Sequence, residues 1–191
     1  IGLITFGLEN GLITPSVPGQ LRVVVPAGVI DISYTVTGQR VSSVKIRNVP
    51  AFVAMTDIEI DVPGFGPLVV DIAYGGNFYA IIEPQGAYAG LDAMDASRIV
   101  ELSRTIRAIL REKVEPVHPL EPSIRGVTHV LWADRPKSAD ADGRNAVFYG
   151  EKAIDRSPCG TGTSARMAHL HAKGRLPTGG RFIHESYICS R

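Results

Sequence analysis

Cysteine is scarce in this chain. Its 191 residues contain two, Cys159 and Cys189. Neither lies in a CxxC pair or in a metal-ligand spacing, so neither a disulfide scaffold nor a metal site is expected. A reducing, cytoplasmic location is the default. Long hydrophobic runs are also missing; every apolar stretch is short and interrupted, which excludes a membrane-spanning helix and makes a membrane partner unexpected. Charge of one sign is missing too. Lys and Arg number 20, Asp and Glu 19, and the formal net charge is +1. No basic stripe appears, so nucleic acid is not an expected partner. No internal repeat is visible, and the start of the chain has neither a basic leader nor a small-residue cleavage site.

The composition that remains is 45% hydrophobic and 20% charged, enough apolar material for a packed core and too little charge for disorder. The first residue is Ile1, and Ser190-Arg191 follows an apolar run. Both ends read as cuts inside a longer protein.

Residues 1–11 place Ile1, Ile4, Phe6 and Leu8 in a helix-compatible pattern that stops at Gly11. Residues 20–83 read as a series of short strands punctuated by Gly38-Gln39, Pro63-Gly64 and Gly75-Gly76. From residue 92 the character changes. Asp95 caps a predicted helix with Ile99, Leu102, Ile106 and Ile109 on one face and Arg98, Glu101, Arg104 and Arg111 largely on the other. A connector with Pro116, Pro119 and Pro122 follows. A domain boundary is expected near residues 84–94 or in this connector, giving domains 1–90 and 91–191. Residues 126–134 and 145–150 read as strands. A tight Pro158-Cys159-Gly160 turn then leads into a helix from about Thr161 to Lys173, ended by Gly174.

The segment DRSPCGTGTS carries the chemistry. Cys159 immediately precedes a helix start, where free N–H groups and the helix dipole favour negative charge. That setting is expected to lower the thiol pKa. The N–H groups of Gly160, Thr161 and Gly162 are also able to hold a carboxylate, and the glycines let a ligand approach the backbone. Asp155, four residues earlier, is placed to bind an ammonium. A thiolate, an anion site and a cation site together suit a zwitterionic amino acid. The alternative is a small buried hydrophobe, the usual fate of a lone cysteine, but such a residue does not require a glycine-rich helix start. A phosphate loop is disfavoured because the GxxxxGK[ST] pattern is absent.

These residues resemble a known family. DRSPCGTGTSARMA (155–168) is similar to the second-cysteine motif of the proline racemase family, which includes hydroxyproline epimerases. The similarity extends to AYGGNFYAIIEPQ (73–85), PAG (26–28), KIRNVP (45–50), RGVTHVLW (125–132) and HES (184–186), and so to essentially the whole chain. The resemblance implies an α/β (α+β) fold of two pseudo-symmetric halves, each a β-sheet wrapped around a central helix, as in the proline racemase and diaminopimelate epimerase fold. It implies epimerisation at the α-carbon of 4-hydroxyproline by two cysteines acting as acid and base, with no cofactor and no metal. It makes Cys159 one of the two catalytic groups. Asp155 is the ligand of the ring nitrogen, and Gly160 and Thr161 are ligands of the carboxylate. A homodimer is the oligomer it implies. The other family cysteine lies in a Met-Cys-Gly-His motif preceding the helix that matches residues 1–11, and this chain begins just after that place. Cys189 stands where similar sequences more often have glycine and reads as a bystander.

Other residues have two readings each. His129 is a buried structural histidine or a contact for a substrate hydroxyl. Tyr149 is an aromatic wall of the site or plain strand packing. Asn77 and Phe78 shape the site or only a turn. His184 is a supporting residue behind the site. His169 and His171 lie too far along the helix to act on Cys159, and at i, i+2 they face different sides, which argues against zinc. Trp132 reads as core. Competing functions are trans-3-hydroxy-L-proline dehydration, proline racemisation, and an inactive fragment or binding module.

Overall fold

The computed structural model describes residues 1–191 and shows two compact units, Ile1–Val49 and Pro50–Arg191. The first holds helix α1 (Gly2–Glu9) and the antiparallel meander β1 (Gln20–Val25), β2 (Gly28–Thr37) and β3 (Arg40–Arg47). Valine and isoleucine favour the pleated backbone, and Gly38 at φ 64° makes the β2–β3 reversal. Glu9 ties the end of α1 to β3 by accepting from the Val41 N–H at 2.8 Å.

The second unit is one seven-stranded sheet with a helix on each face. Its order is β10 (His184–Glu185), β8 (Gly143–Tyr149), β7 (His129–Asp134), β6 (Phe78–Ile82), β5 (Gly66–Tyr74) and β4 (Phe52–Val62), with β9 (Ala153–Ile154) paired to β8. Strands β6 and β7 run parallel, which requires a crossover. Helix α2 (Ala96–Lys113) supplies it. Helix α3 (Gly160–Ala172) leaves β9 and packs on β4, β5 and β6. The domain boundary expected near residue 90 falls inside this unit, because the strands before and after it pair directly.

Strand alternation assigns the faces. Ala73, Tyr79, Ile81, Leu131, Ala133 and Val147 cluster with Ala165 and Cys159 of the α3 side. Their neighbours face α2. Trp132 is fully buried and donates from Nε1 to Ser103 Oγ at 2.8 Å, and Arg107 lies over the Phe148 ring. Asp95 caps α2 as expected, accepting from the Arg98 N–H at 2.8 Å. The buried anchors of α2 are Ile99, Leu102, Ile106 and Leu110. Ile109 was expected in the last place, but it lies at the margin and Leu110 takes the core position.

Two features seat α3. The first is a close approach at Gly75, in the β5–β6 turn. A Cβ there would overlap the Thr161 carbonyl oxygen and the Ala165 nitrogen, both backbone atoms of α3. The second is a set of charges along the later turns. Arg166 donates to His169 Nδ1 at 2.7 Å, which leaves His169 Nε2–H to donate to Asp71 at 2.6 Å. Lys173 also meets Asp71 at 2.6 Å, and Arg166 and Arg175 both meet Glu83. Burial alone would raise both carboxyls. The His169 and Lys173 contacts and the Asp57 N–H outweigh it at Asp71, which is held well below its ordinary range. Arg166 and Arg175 do the same at Glu83 and bring it down to about 2.

Two outcomes follow. Gly75→Ala should cost about 1–3 kcal/mol, the range for overpacking, read as a lowered urea midpoint; an unchanged midpoint would refute the close approach. The carboxylates are depressed in the folded state, so their stabilisation is present above the unfolded carboxyl range. It is lost as pH falls from about 4.5 towards the folded value of about 2 for Glu83. Glu83→Gln should therefore melt lower at pH 7, with the gap to wild type closing in acid.

Candidate active site

Cys159 is the residue at which the chain turns from β9 into α3. Its backbone sits at φ 62° and ψ 97°, a region that L-residues occupy only when neighbours hold them there. The neighbours are specific. Asp155 Oδ1 accepts from both the N–H and the hydroxyl of Ser157, each at 2.8 Å, and Ser157 Oγ accepts from the Cys159 N–H at 3.1 Å. On the other side, the Cys159 carbonyl accepts from the Thr163 N–H at 2.7 Å.

The sulfur is buried, with the residue 8% exposed. It accepts from the Gly162 N–H. Tyr79 Oη lies 3.4 Å from it and 2.6 Å from Thr161 Oγ1. A Cβ at Gly162 would stand 3.0 Å from the sulfur and 3.2 Å from the Tyr79 ring, so a side chain there would press on the thiol and the ring. The N–H groups of Gly160 and Thr161, which open the helix, have no protein acceptor. Gly160, next to Cys159 in the chain, is exposed, and Thr161 is half-buried.

The structure corrects one expectation. The thiol pKa is raised, not lowered. Burial is the largest cause and the Asp155 charge adds to it; the Tyr79, Gly162 and Thr161 contacts pull the other way without cancelling it. Helix position alone omits the cost of removing the sulfur from water.

Other residues named from the sequence gather around the same point. The His129 ring lies tilted 4.8 Å from that of Tyr79 and stacked 6.5 Å from that of Tyr149. Its Nδ1 lies 2.7 Å from Thr128 Oγ1. Burial, with the Arg107 charge, pushes its pKa down to about 4, so the ring is neutral near pH 7. Tyr149 is 43% exposed, so its side chain is not part of the packed core. Arg107 donates to the Gly150 carbonyl and pairs with Glu151 at 2.9 Å, fixing the turn that carries Tyr149. Asn77 also hydrogen-bonds Tyr79, whereas Phe78 is turned to the opposite face, against Phe52 and Tyr74. His184 lies behind the turn, its Nδ1 2.9 Å from Thr163 Oγ1 and 3.2 Å from Asn145 Nδ2. His169 is committed to Asp71 and His171 to the Leu176 carbonyl at 2.9 Å, so neither reaches this turn. Cys189 is exposed, at φ 63°, a backbone that glycine adopts without strain.

Tyr79, Ser157 and Asn145 were not singled out from the sequence. Ser157 was within sight of the motif; the other two are joined to it only by the sheet. Two surface clefts lie elsewhere, one of about 650 Å³ beside α2 and β9 and one of about 980 Å³ on the first unit; neither is lined by Cys159.

Fold and site define a class: an α/β protein that presents a buried thiol, two unclaimed helix N–H groups and a carboxylate around one turn. The proline racemase family model matches residues 1–191, and the chain belongs to that family. It is 51% identical over 191 residues to the 4-hydroxyproline 2-epimerase of Shewanella loihica, covering 100% of this chain and 57% of that protein. It is 52% identical over 190 residues to the 4-hydroxyproline epimerase of Brucella ovis, with the same coverage. The chain thus spans little more than half the length of these relatives. The crystal structure of a hydroxyproline epimerase from Agrobacterium vitis, with bound trans-4-hydroxy-L-proline, superposes with a TM-score of 0.85. It is 31% identical, and the match covers 100% of this chain and 55% of that one. A probable proline racemase from Agrobacterium radiobacter with bound carbonate also gives 0.85 at 31% identity, over 98% of this chain and 55% of that one.

With the thiol held above its ordinary range, alkylation of Cys159 by iodoacetamide should be slow at pH 7. It should keep rising beyond the ordinary thiol midpoint of about 8.5. Fast labelling with a midpoint below 7, followed by peptide-resolved mass spectrometry, would contradict the assigned balance of burial and dipole.

Proposed function

We propose that this chain carries one half of the two-base site of a 4-hydroxyproline 2-epimerase, interconverting trans-4-hydroxy-L-proline and cis-4-hydroxy-D-proline. The observation that carries the reading is the Cys159 turn, where one short segment brings together a buried thiol, two helix N–H groups without a protein acceptor and the Asp155 carboxylate. The 51–52% identity to proteins named as 4-hydroxyproline epimerases supports the choice of substrate.

In this reading the substrate carboxylate takes the Gly160 and Thr161 N–H groups, left without protein partners, and the positive end of α3 stabilises it. Asp155 keeps one oxygen on Ser157 and offers the other to the ring ammonium. The α-carbon is then presented to Cys159 Sγ. In one direction the thiolate removes the α-proton, and a second cysteine, supplied outside these 191 residues, donates a proton to the opposite face. In the other direction Cys159, as thiol, is the donor. Negative charge that develops on the carboxylate in the transition state is met by the two N–H groups. The raised thiol pKa suits the donor role at neutral pH. When Cys159 acts as base, the bound ammonium helps to stabilise its thiolate, and Tyr79 Oη and the Gly162 N–H are within reach to support the same form.

Tyr149 and the neutral His129 form the ring-side wall, where His129 meets the 4-hydroxyl. The reading extends to a cytoplasmic homodimer: two free cysteines suit a reducing compartment, and the family resemblance supports the pairing.

The test is exchange of the α-proton with deuterated water, followed by NMR on the intact protein with trans-4-hydroxy-L-proline and, separately, L-proline. Cys159→Ser should lower kcat by at least about a thousandfold, and Asp155→Asn should weaken kcat/KM strongly. Full activity of Cys159→Ser would exclude the mechanism. A preference for L-proline would replace the substrate.

A further inference from the structure

Behind the cysteine turn lies a set of buried polar groups that the proton transfer itself does not use. Asn145, 1% exposed, donates from Nδ2 to the Pro158 carbonyl at 2.9 Å. Thr163 Oγ1 lies 3.1 Å from the same carbonyl. The Pro158 carbonyl belongs to the peptide that enters Cys159, so its orientation sets φ at the cysteine. His184 Nδ1 lies between Asn145 Nδ2 and Thr163 Oγ1.

Three donor hydrogens, two on the Asn145 amide and one on the Thr163 hydroxyl, face two acceptors, the Pro158 carbonyl and His184 Nδ1, and the Thr163 proton goes to one or the other. Asn145 Nδ2 has two hydrogens, one for the Pro158 carbonyl and one for His184 Nδ1. His184 Nδ1 must then accept, which places its proton on Nε2. Asn145 Oδ1 is left buried without a partner. Turning the amide over would give that oxygen a place but would set it against the Pro158 carbonyl oxygen and remove the donor. The unpaired oxygen is tolerated because the two donors are needed where they are.

We infer that Asn145 and His184 are positioning residues: together they hold the Pro158–Cys159 peptide in the strained conformation that keeps the sulfur under the helix N-terminus. This deepens the epimerase reading and rests on it for its kinetic arm alone. Neither residue touches the reacting atoms.

The distinguishing experiment uses the intact protein and three variants. His184→Leu removes the acceptor, His184→Asn keeps an acceptor at the Nδ1 position, and Asn145→Asp replaces the donor to Pro158 with an oxygen. Each is assayed well below its own melting temperature, for kcat and KM on trans-4-hydroxy-L-proline and for peptide-resolved iodoacetamide labelling of Cys159. Releasing the peptide should let the sulfur swing outward. His184→Leu and Asn145→Asp should therefore label several-fold faster while kcat falls by about tenfold or more and KM stays within about twofold. His184→Asn should restore both readouts to within about threefold of wild type. Unchanged labelling in His184→Leu, or His184→Asn impaired as deeply as His184→Leu, would overturn the inference. A wild-type protein inert toward every proline-type substrate would defeat the epimerase reading, and the labelling arm would still decide this one.

Discussion

A helix cannot begin at Cys159 unless the chain reverses there through a backbone that L-residues avoid, and the rest of the site depends on that reversal being held. A positive φ on a residue with a side chain costs on the order of 1–3 kcal/mol. Here it is fixed from both flanks. Asp155 and Ser157 hold the N–H side, while Asn145 and Thr163 hold the preceding carbonyl. The strain places a sulfur, two free N–H groups and a carboxylate around one point, an arrangement that a relaxed strand-to-helix turn would not supply.

Holding the turn is also a matter of holding the helix behind it. Gly75 allows α3 to touch the β5–β6 turn at backbone distance, and the charges on Asp71 and Glu83 anchor the later turns. The site is thus seated between one close contact and one ionic cluster. Burial has a second effect. It removes water from the sulfur and raises its pKa against the pull of the helix terminus. The net upward shift keeps the sulfur protonated near neutral pH, the form that donates in the proposed mechanism.

Much of the architecture was legible in the sequence, because its signals are local. The strands of residues 20–83 followed from β-branched residues between Gly and Pro turns, and the start of α2 from Asp95. The α3 start followed from its glycines and its end from Gly174. The family could be recognised because its motif residues are contiguous. The domain boundary was harder to place, since a change from strands to helix near residue 90 does not reveal that β6 and β7 are neighbours in one sheet. Leu110 displaced Ile109 as a core anchor because a helical face is wide enough to admit either until the sheet is in place.

The sequence by itself determined that a thiol, two glycines and a carboxylate share one helix start, since Cys159, Gly160, Gly162 and Asp155 lie within eight residues and helix-end physics acts over one turn. Only the tertiary structure decided the state of that thiol. Tyr79, Asn145 and His184 are up to 80 residues away along the chain, and the sheet brings Tyr79 to the sulfur and the other two to the turn behind it. Desolvation, which turns the thiol's shift upward, is a property of everything packed around the atom, and no local motif encodes it.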